Sequence, residues 1–403
     1  MAEQQRYRVL KRLASGGMAE VFVAESAGIE GFKKQVAIKR VLPALSRKEQ
    51  FIAMFLDEAR LSAHLSHSNV VSVFDIGVGD DSYFIVMEFV DGADLKQILD
   101  HRKKIHQPIP VEAAVYVATK ICQGLAYAHE LTTADGRPLN IVHRDITPAN
   151  VLITRHGEIK IVDFGLAKAS SQLAESDAGV IKGKFGYLAP ETVKELGVDH
   201  RVDVFAVGII LWEMLASQRL FLGKTDFATV KLVSDAVIPP LAPINPAVPP
   251  ELERILARAL ARDRDARYQS ARDFGRDLTR FLFHYARPVS DYEVADLVRA
   301  TLGIEREPVD GTQKIADLID MMLLEFKSLR NDDSDPPPVS SIHPESADWL
   351  GEQRVSIDEP LTLGGLADEL EGPDPTLPSE PEPEDEPAKN APGVMGWFRG
   401  LIR

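Results

Sequence analysis

His143-Arg144-Asp145-Ile146-Thr147-Pro148-Ala149-Asn150-Val151-Leu152-Ile153-Thr154-Arg155-His156-Gly157-Glu158-Ile159-Lys160-Ile161-Val162-Asp163-Phe164-Gly165 is the stretch on which the reading of the whole chain turns. Asn150 follows Asp145 by five positions, and Asp163 follows Asn150 by thirteen. Two apolar runs, 151–154 and 159–162, flank a turn at His156-Gly157, which predicts a β-hairpin with a loop on each side. An Asp able to take up a hydroxyl proton, followed by an Asn and an Asp able to share a magnesium ion, are the parts needed to move a phosphoryl group.

Upstream, 21–24 and 36–40 read as strands either side of a Gly-containing turn. Phe51, Met54, Phe55, Ala59, Leu61 and Leu65 recur at helical spacing, which predicts a helix over about 48–65. The run 83–90 reads as a further strand, ended by Asp91-Gly92. From about 110 onward helices dominate: 110–130, an apolar and therefore central 203–215, then 250–260 and 272–285. Ser290 and Glu293 have the spacing of a capping box, so another helix is expected over 290–302, and 315–329 is a second amphipathic segment.

Hydrophobic residues at 45% and charged residues at 27% are those of a globular protein with a sizeable core. The formal charge of −15 is local. Between 331 and 392 there are 17 acidic residues against two basic ones, Arg354 and Lys389, so the rest of the chain is close to neutral. That balance argues against a nucleic-acid partner. The same stretch holds 12 of the 26 prolines and no sustained periodicity, so a disordered acidic linker is expected there. The sole cysteine, Cys122, excludes an internal disulfide framework and reads as a core thiol on a helix face. No apolar run is long enough to span a bilayer and there is no secretory start, so the expected setting is cytoplasmic.

With both loops and the hairpin in view, the chain resembles the eukaryotic-like protein kinases of bacteria. Their H-R-D-x-x-x-x-N and D-F-G signatures stand here at 143–150 and 163–165. The resemblance covers about residues 7 to 285. It implies an α+β, bilobal protein kinase fold: a small β-rich N-lobe (about 7–90) and a larger helical C-lobe (about 91–285). A helical extension (286–330), the acidic linker (331–392) and a short amphipathic segment (393–403) would follow.

The resemblance also implies roles. Leu13, Ala14, Ser15, Gly16, Gly17, Met18, Ala19 and Val21 stand where the family's glycine-rich loop covers ATP. Ala14 and Ala19 replace two of its glycines, a departure expected to weaken nucleotide affinity without blocking access. Lys39 ends a Val-Ala-Ile-Lys strand and would hold the α- and β-phosphates, paired with Glu58, for which Asp57 is a neighbouring rival. Met87 would stand beside the adenine, with Glu88 and Val90 offering backbone groups and Asp94 near the ribose. Val21, Ala37 and Leu152 would sandwich the ring. Asp145 would be the catalytic base, and Asn150 and Asp163 the Mg2+ ligands, with Mn2+ as the alternative ion. Asp203 would brace the catalytic loop, and Glu191 would pair with Arg267.

Two departures are reciprocal. Family members that act on Ser or Thr carry Lys two residues after the catalytic Asp and Thr ahead of Ala-Pro-Glu; this chain has Thr147 and Lys184. The reading adopted is an amine–hydroxyl pair with its donors exchanged. Ser170, Ser171 and Ser176 are the candidate phosphosites of the activation segment, where Arg144 would receive a phosphate or else only tie loops together.

The expected activity is ATP-dependent phosphorylation of Ser/Thr in protein substrates, including autophosphorylation. The alternative is a pseudokinase scaffold, and a full activation segment disfavours a small-molecule kinase. Trp397, Phe398, Leu401 and Ile402 recur at helical spacing beside Arg399 and Arg403, which suits docking to a partner, to the chain's own surface or to a membrane. The plainer reading of that segment is a frayed end.

Overall fold

The structure is a computed structural model that describes residues 7–27, 33–79, 82–133, 135–164, 184–194 and 196–304, without the side chain of Lys184. All of these lie in the first of two compact units, residues 1–314. Several expectations therefore lie outside the described residues: the Gly165 end of its motif, Ser170, Ser171, Ser176, the Lys184 side chain, 315–329, the acidic linker and 393–403.

The N-terminal lobe is a five-stranded antiparallel sheet in the order β1-β2-β3-β5-β4, with β1 Tyr7–Ser15, β2 Ala19–Ala27, β3 Lys33–Val41, β4 Val73–Gly79 and β5 Ser82–Glu88. In β3, between two neighbours, alternation puts Val36 and Ile38 on one face with Ala24 and Val86. Ala37 and Lys39 fall on the other. Helix α1, Glu49–Ala63, buries Phe55, Glu58, Ala59 and Ser62, a single stripe at helical spacing. Phe55 and Ala59 on that stripe pack with Val41 and Ile85 of the sheet. Glu58 is thereby carried toward Lys39, while Asp57 projects outward to Arg60, 3.3 Å away.

Strand β5 ends at Glu88, two residues earlier than the apolar run suggests. Gly92–Asp94 does not merely terminate it: these residues form β6, which pairs with β7 (Val151–Thr154), and β7 with β8 (Ile159–Ile161). Gly92 fits because a Cβ there would lie 1.8 Å from the carbonyl oxygen of Ile153. The expected hairpin is β7–β8, and its turn residue Gly157 has φ +92°.

The C-terminal lobe contains α2 Leu95–Lys104, α3 Val111–His129, α4 Pro190–Val193, α5 Arg201–Ala216, α6 Asp226–Asp235, α7 Pro250–Ala259, α8 Ala271–Tyr285 and α9 Asp291–Leu302. Helix α5 is buried on every side, from Val202 to Leu215, and forms the axis about which the lobe packs. Cys122 on α3 is fully buried, with Gly275 of α8 against it, and burial raises its thiol pKa. Helix α9 starts with the expected capping box, Ser290 and Glu293, and stops at Gly303 with φ +66°. Among the described residues no helix is long and apolar enough to cross a membrane.

Candidate active site

Lys39 is the centre of the site. Its side chain leaves β3 on the α1 face, is 6% exposed, and donates to Glu58 Oε1 at 2.7 Å and to Asp163 Oδ1 at 2.8 Å. A buried amine needs such company. Burial alone would lower its pKa, but Asp163 and Glu58 outweigh it and raise the amine above the ordinary lysine value. Burial acts the opposite way on Glu58 and raises its carboxyl, against the pull of Lys39.

Asp163 comes two residues after β8 and holds φ +66°, and Arg144 holds φ +65°. A left-handed backbone costs a non-glycine residue about 1 kcal/mol or more, so each must be held in place. For Asp163 one restraint is the Lys39 bond. For Arg144 it is Asp203 at the start of α5: Oδ1 accepts from the Arg144 amide at 2.8 Å and Oδ2 from the His143 amide at 2.9 Å. His129, at the end of α3, approaches the same Oδ2 at 2.8 Å. Burial would raise the Asp203 carboxyl, yet His129, the His143 ring and the His143 amide hold it below the usual range. The His143 ring reaches the Val162 carbonyl at 3.0 Å and packs on Phe164, tying the two loops together.

Asp145 and Asn150 sit on the short loop between Arg144 and β7. Asn150 Nδ2 donates to the Asp145 carbonyl at 2.8 Å and to its Oδ2 at 3.2 Å, while the Asn150 carbonyl accepts from the Val162 amide at 3.1 Å. The last bond crosses from the residue before β7 to the residue before Asp163. Thr147 lies in the same loop, buried and extended, ahead of the turn Pro148–Asn150.

Of the candidate purine-binding residues, Val21, Ala37, Met87, Val90 and Leu152 converge in one apolar cluster with Val71, Val73, Phe89 and Val162. Ala37 and Met87 are cross-strand partners, as are Asp94 and Leu152. The Glu88 side chain is committed elsewhere, to Lys160 at 2.9 Å and the Ser72 amide at 3.3 Å, and its own amide donates to the Ser72 carbonyl at 2.9 Å, so its backbone carbonyl is the group suited to a ligand. Asp94 caps α2 through the Gln97 amide. Leu13, Ala14 and Ser15 end β1, Ala19 starts β2, and Gly16-Gly17-Met18 form the tight connection, with the Gly16 amide bonded to the Ala19 carbonyl at 2.9 Å. Ala14 pairs with Val21 just after a register shift between Arg12 and Ala14, and Ala19 pairs with Val41. Neither alanine needs a left-handed backbone, so the expected penalty for replacing glycine has no conformational basis here.

Sequence reasoning did not find His129, Lys160 or Tyr116, whose hydroxyl bonds Asp291 Oδ1 at 2.9 Å. Tyr116 and His129 are two of several polar side chains on α3, and Lys160 lies between two isoleucines of β8, so only a distant partner gives each its meaning. The one local hint for His129 is its place at the end of α3, ahead of the 143–150 loop.

A family model described as the protein kinase domain matches residues 7–275. The tyrosine-protein kinase MasK of Myxococcus xanthus is 39% identical over 302 residues, 74% of this chain and 46% of that protein. The serine/threonine-protein kinase PrkC of Bacillus subtilis is 34% identical over 273 residues, 68% of this chain and 40% of PrkC. The chain thus spans less than half the length of either relative. The crystal structure of the Mycobacterium tuberculosis PknI kinase domain superposes with a TM-score of 0.51 at 26% identity, covering 68% of this chain and 95% of that one.

Proposed function

Because the chain belongs to the protein kinase family, we propose that it transfers the γ-phosphoryl group of ATP to serine and threonine hydroxyls of protein substrates, itself included. The observation that carries this reading is the buried Lys39 held between Glu58 and Asp163 while Asp145 and Asn150 lie on the adjoining loop.

The apolar cluster of Val21, Ala37, Met87 and Leu152 offers a purine two dry faces, with backbone groups of Glu88 and Val90 at its edge and Asp94 near the ribose. Backbone amides of the 13–19 segment would lie over the phosphates, and Lys39 would bind the α- and β-phosphates, oriented by Glu58. The residues present suit a divalent metal: Asn150 spends its amide nitrogen on Asp145, which leaves its oxygen as a hard ligand, and the Asp163 carboxylate would supply another. Bound Mg2+, or Mn2+, would neutralise phosphate charge and orient the transferred group. Asp145 would orient the substrate hydroxyl and take up its proton. Thr147 and Lys184 would form the exchanged amine–hydroxyl pair, and Ser170, Ser171 and Ser176 are the proposed autophosphorylation sites. A cytoplasmic location and a docking partner for 393–403 belong to the same reading.

Incubating the purified chain with Mg-ATP and mapping its phosphosites by mass spectrometry, alongside Asp145→Asn, tests the proposal. Phosphoserine and phosphothreonine are expected in the wild type and none in the variant, which should still bind Mg-ADP. Phosphotyrosine alone would overturn the hydroxyl class, in line with the name of MasK. Nucleotide binding without transfer in the wild type would favour a scaffold.

A further inference from the structure

Helix α9 (Asp291–Leu302) lies beyond the 7–275 kinase match yet is built into the lobe. Val294, Leu297 and Val298 are buried in the main core. The helix packs against α2, α3, β6 and β7. Its N-terminus rests on the turn of the β7–β8 hairpin so closely that a Cβ on Gly157 would lie 1.8 Å from the Asp291 carbonyl oxygen. Asp291 Oδ1 accepts the Tyr116 hydroxyl of α3 at 2.9 Å. One residue therefore links the hairpin turn, through its main chain, to the long helix of the lobe, through its side chain.

What rests on this support is specific. Strands β6 and β7 pair with Asp94 opposite Leu152, the two residues assigned above to the ribose and the purine. Asn150 immediately precedes β7, and Asp163 comes two residues after β8. We propose that α9 is a positioning element of the nucleotide site: seated on Gly157 and latched by Tyr116–Asp291, it sets where β6 and β7 present Asp94 and Leu152. The working catalytic unit then runs to Gly303, past the end of the family match. This inference rests on the nucleotide-binding part of the reading above.

The test uses the full chain and measures Kd for Mg-ADP by calorimetry, KM for ATP, kcat at saturating ATP, and Tm. Gly157→Ala forces a methyl into the Asp291 carbonyl at a left-handed position, so the hairpin turn and α9 must part. The expected result is a Kd and a KM raised about fivefold, with kcat within about twofold of wild type, the pattern of a lost ground-state binding contribution. Tyr116→Phe, which removes only the latch, should move both constants the same way by a smaller factor. Asp291→Asn keeps an oxygen to accept the Tyr116 hydroxyl and should retain wild-type constants. Calorimetric stoichiometry separates weaker binding from a partly unfolded sample, and Tyr116→Phe decides the matter if Gly157→Ala does not fold. Unchanged Kd and KM in the folded variants, whatever their Tm, would overturn the proposal, as would a fall in kcat alone. A wild type that binds Mg-ADP but transfers nothing would sink the activity reading instead, and α9 would still be judged on Kd.

Discussion

Arg267 and Glu191, 76 positions apart, meet in a buried two-pronged ion pair, with Nη1–Oε1 at 2.6 Å and Nη2–Oε2 at 2.7 Å. The guanidinium also donates from Nε to the Ala261 carbonyl at 2.7 Å and lies over the Phe205 ring of α5. Three segments of the C-terminal lobe are thus fastened at one point.

Removing one member of such a pair strands the other charge in the core. Arg267→Ala should lower the unfolding free energy by about 3–5 kcal/mol, read from the denaturant midpoint. Arg267→Lys should recover little of it, because an ammonium cannot match the planar fork. A loss under about 1 kcal/mol for Arg267→Ala would show that the pair does not carry the fold.

Asp203 is expected to give stability a particular pH dependence. Its folded pKa is depressed, so its contribution is complete above the ordinary Asp range and is lost as pH falls through the lower folded value. Wild type should therefore weaken progressively below about pH 4. In Asp203→Asn that part of the acid slope should vanish. At neutral pH the variant should be less stable by about 1–3 kcal/mol, since an amide cannot accept from both the His143 and Arg144 amides. An unchanged slope would mean that other carboxylates govern acid unfolding.

Lys39→Met should abolish autophosphorylation and nucleotide binding together. It also leaves Glu58 buried without its cation. A buried carboxyl with a raised pKa favours folding while protonated, and that contribution is lost as pH rises through the folded value. The variant's stability deficit should thus be larger at pH 8 than at pH 6. Thermal melts at the two values check this, and an equal deficit would mean Glu58 finds another partner.

The exchanged pair predicts coupling between Thr147 and Lys184. Lys184→Thr alone should impair transfer, and adding Thr147→Lys should restore much of it. Additive losses across the double-mutant cycle would make the two positions independent.

The hairpin, the central helix and the α9 capping box were legible in sequence because each is specified locally, by period, turn residue or cap. Strand β1 was not. Its Arg8, Lys11 and Arg12 and its exposed Val9, Leu10 and Leu13 show no buried face, and only pairing with β2 makes it a strand. Strand β6 is three residues long and exists through β7. Helix α2, ending in His101-Arg102-Lys103-Lys104, buries just Leu95 and Ile98, too few to mark a period. In the site, the motif residues were legible but their fastening was not. Which atoms of Asp203 hold the loop, and why Glu58 rather than Asp57 faces Lys39, depend on which helix face is buried. Sequence spacing alone leaves two neighbouring carboxylates equivalent.

Cys122 has a practical consequence. It is the sole thiol of the chain, fully buried against α8, with its pKa raised by burial, so it is protonated and shielded from reagents in the folded protein. The native surface is accordingly blank to maleimides. A single cysteine introduced at an outward position such as Asp57 of α1 would take the whole of an added fluorophore, and its signal would report on that helix alone.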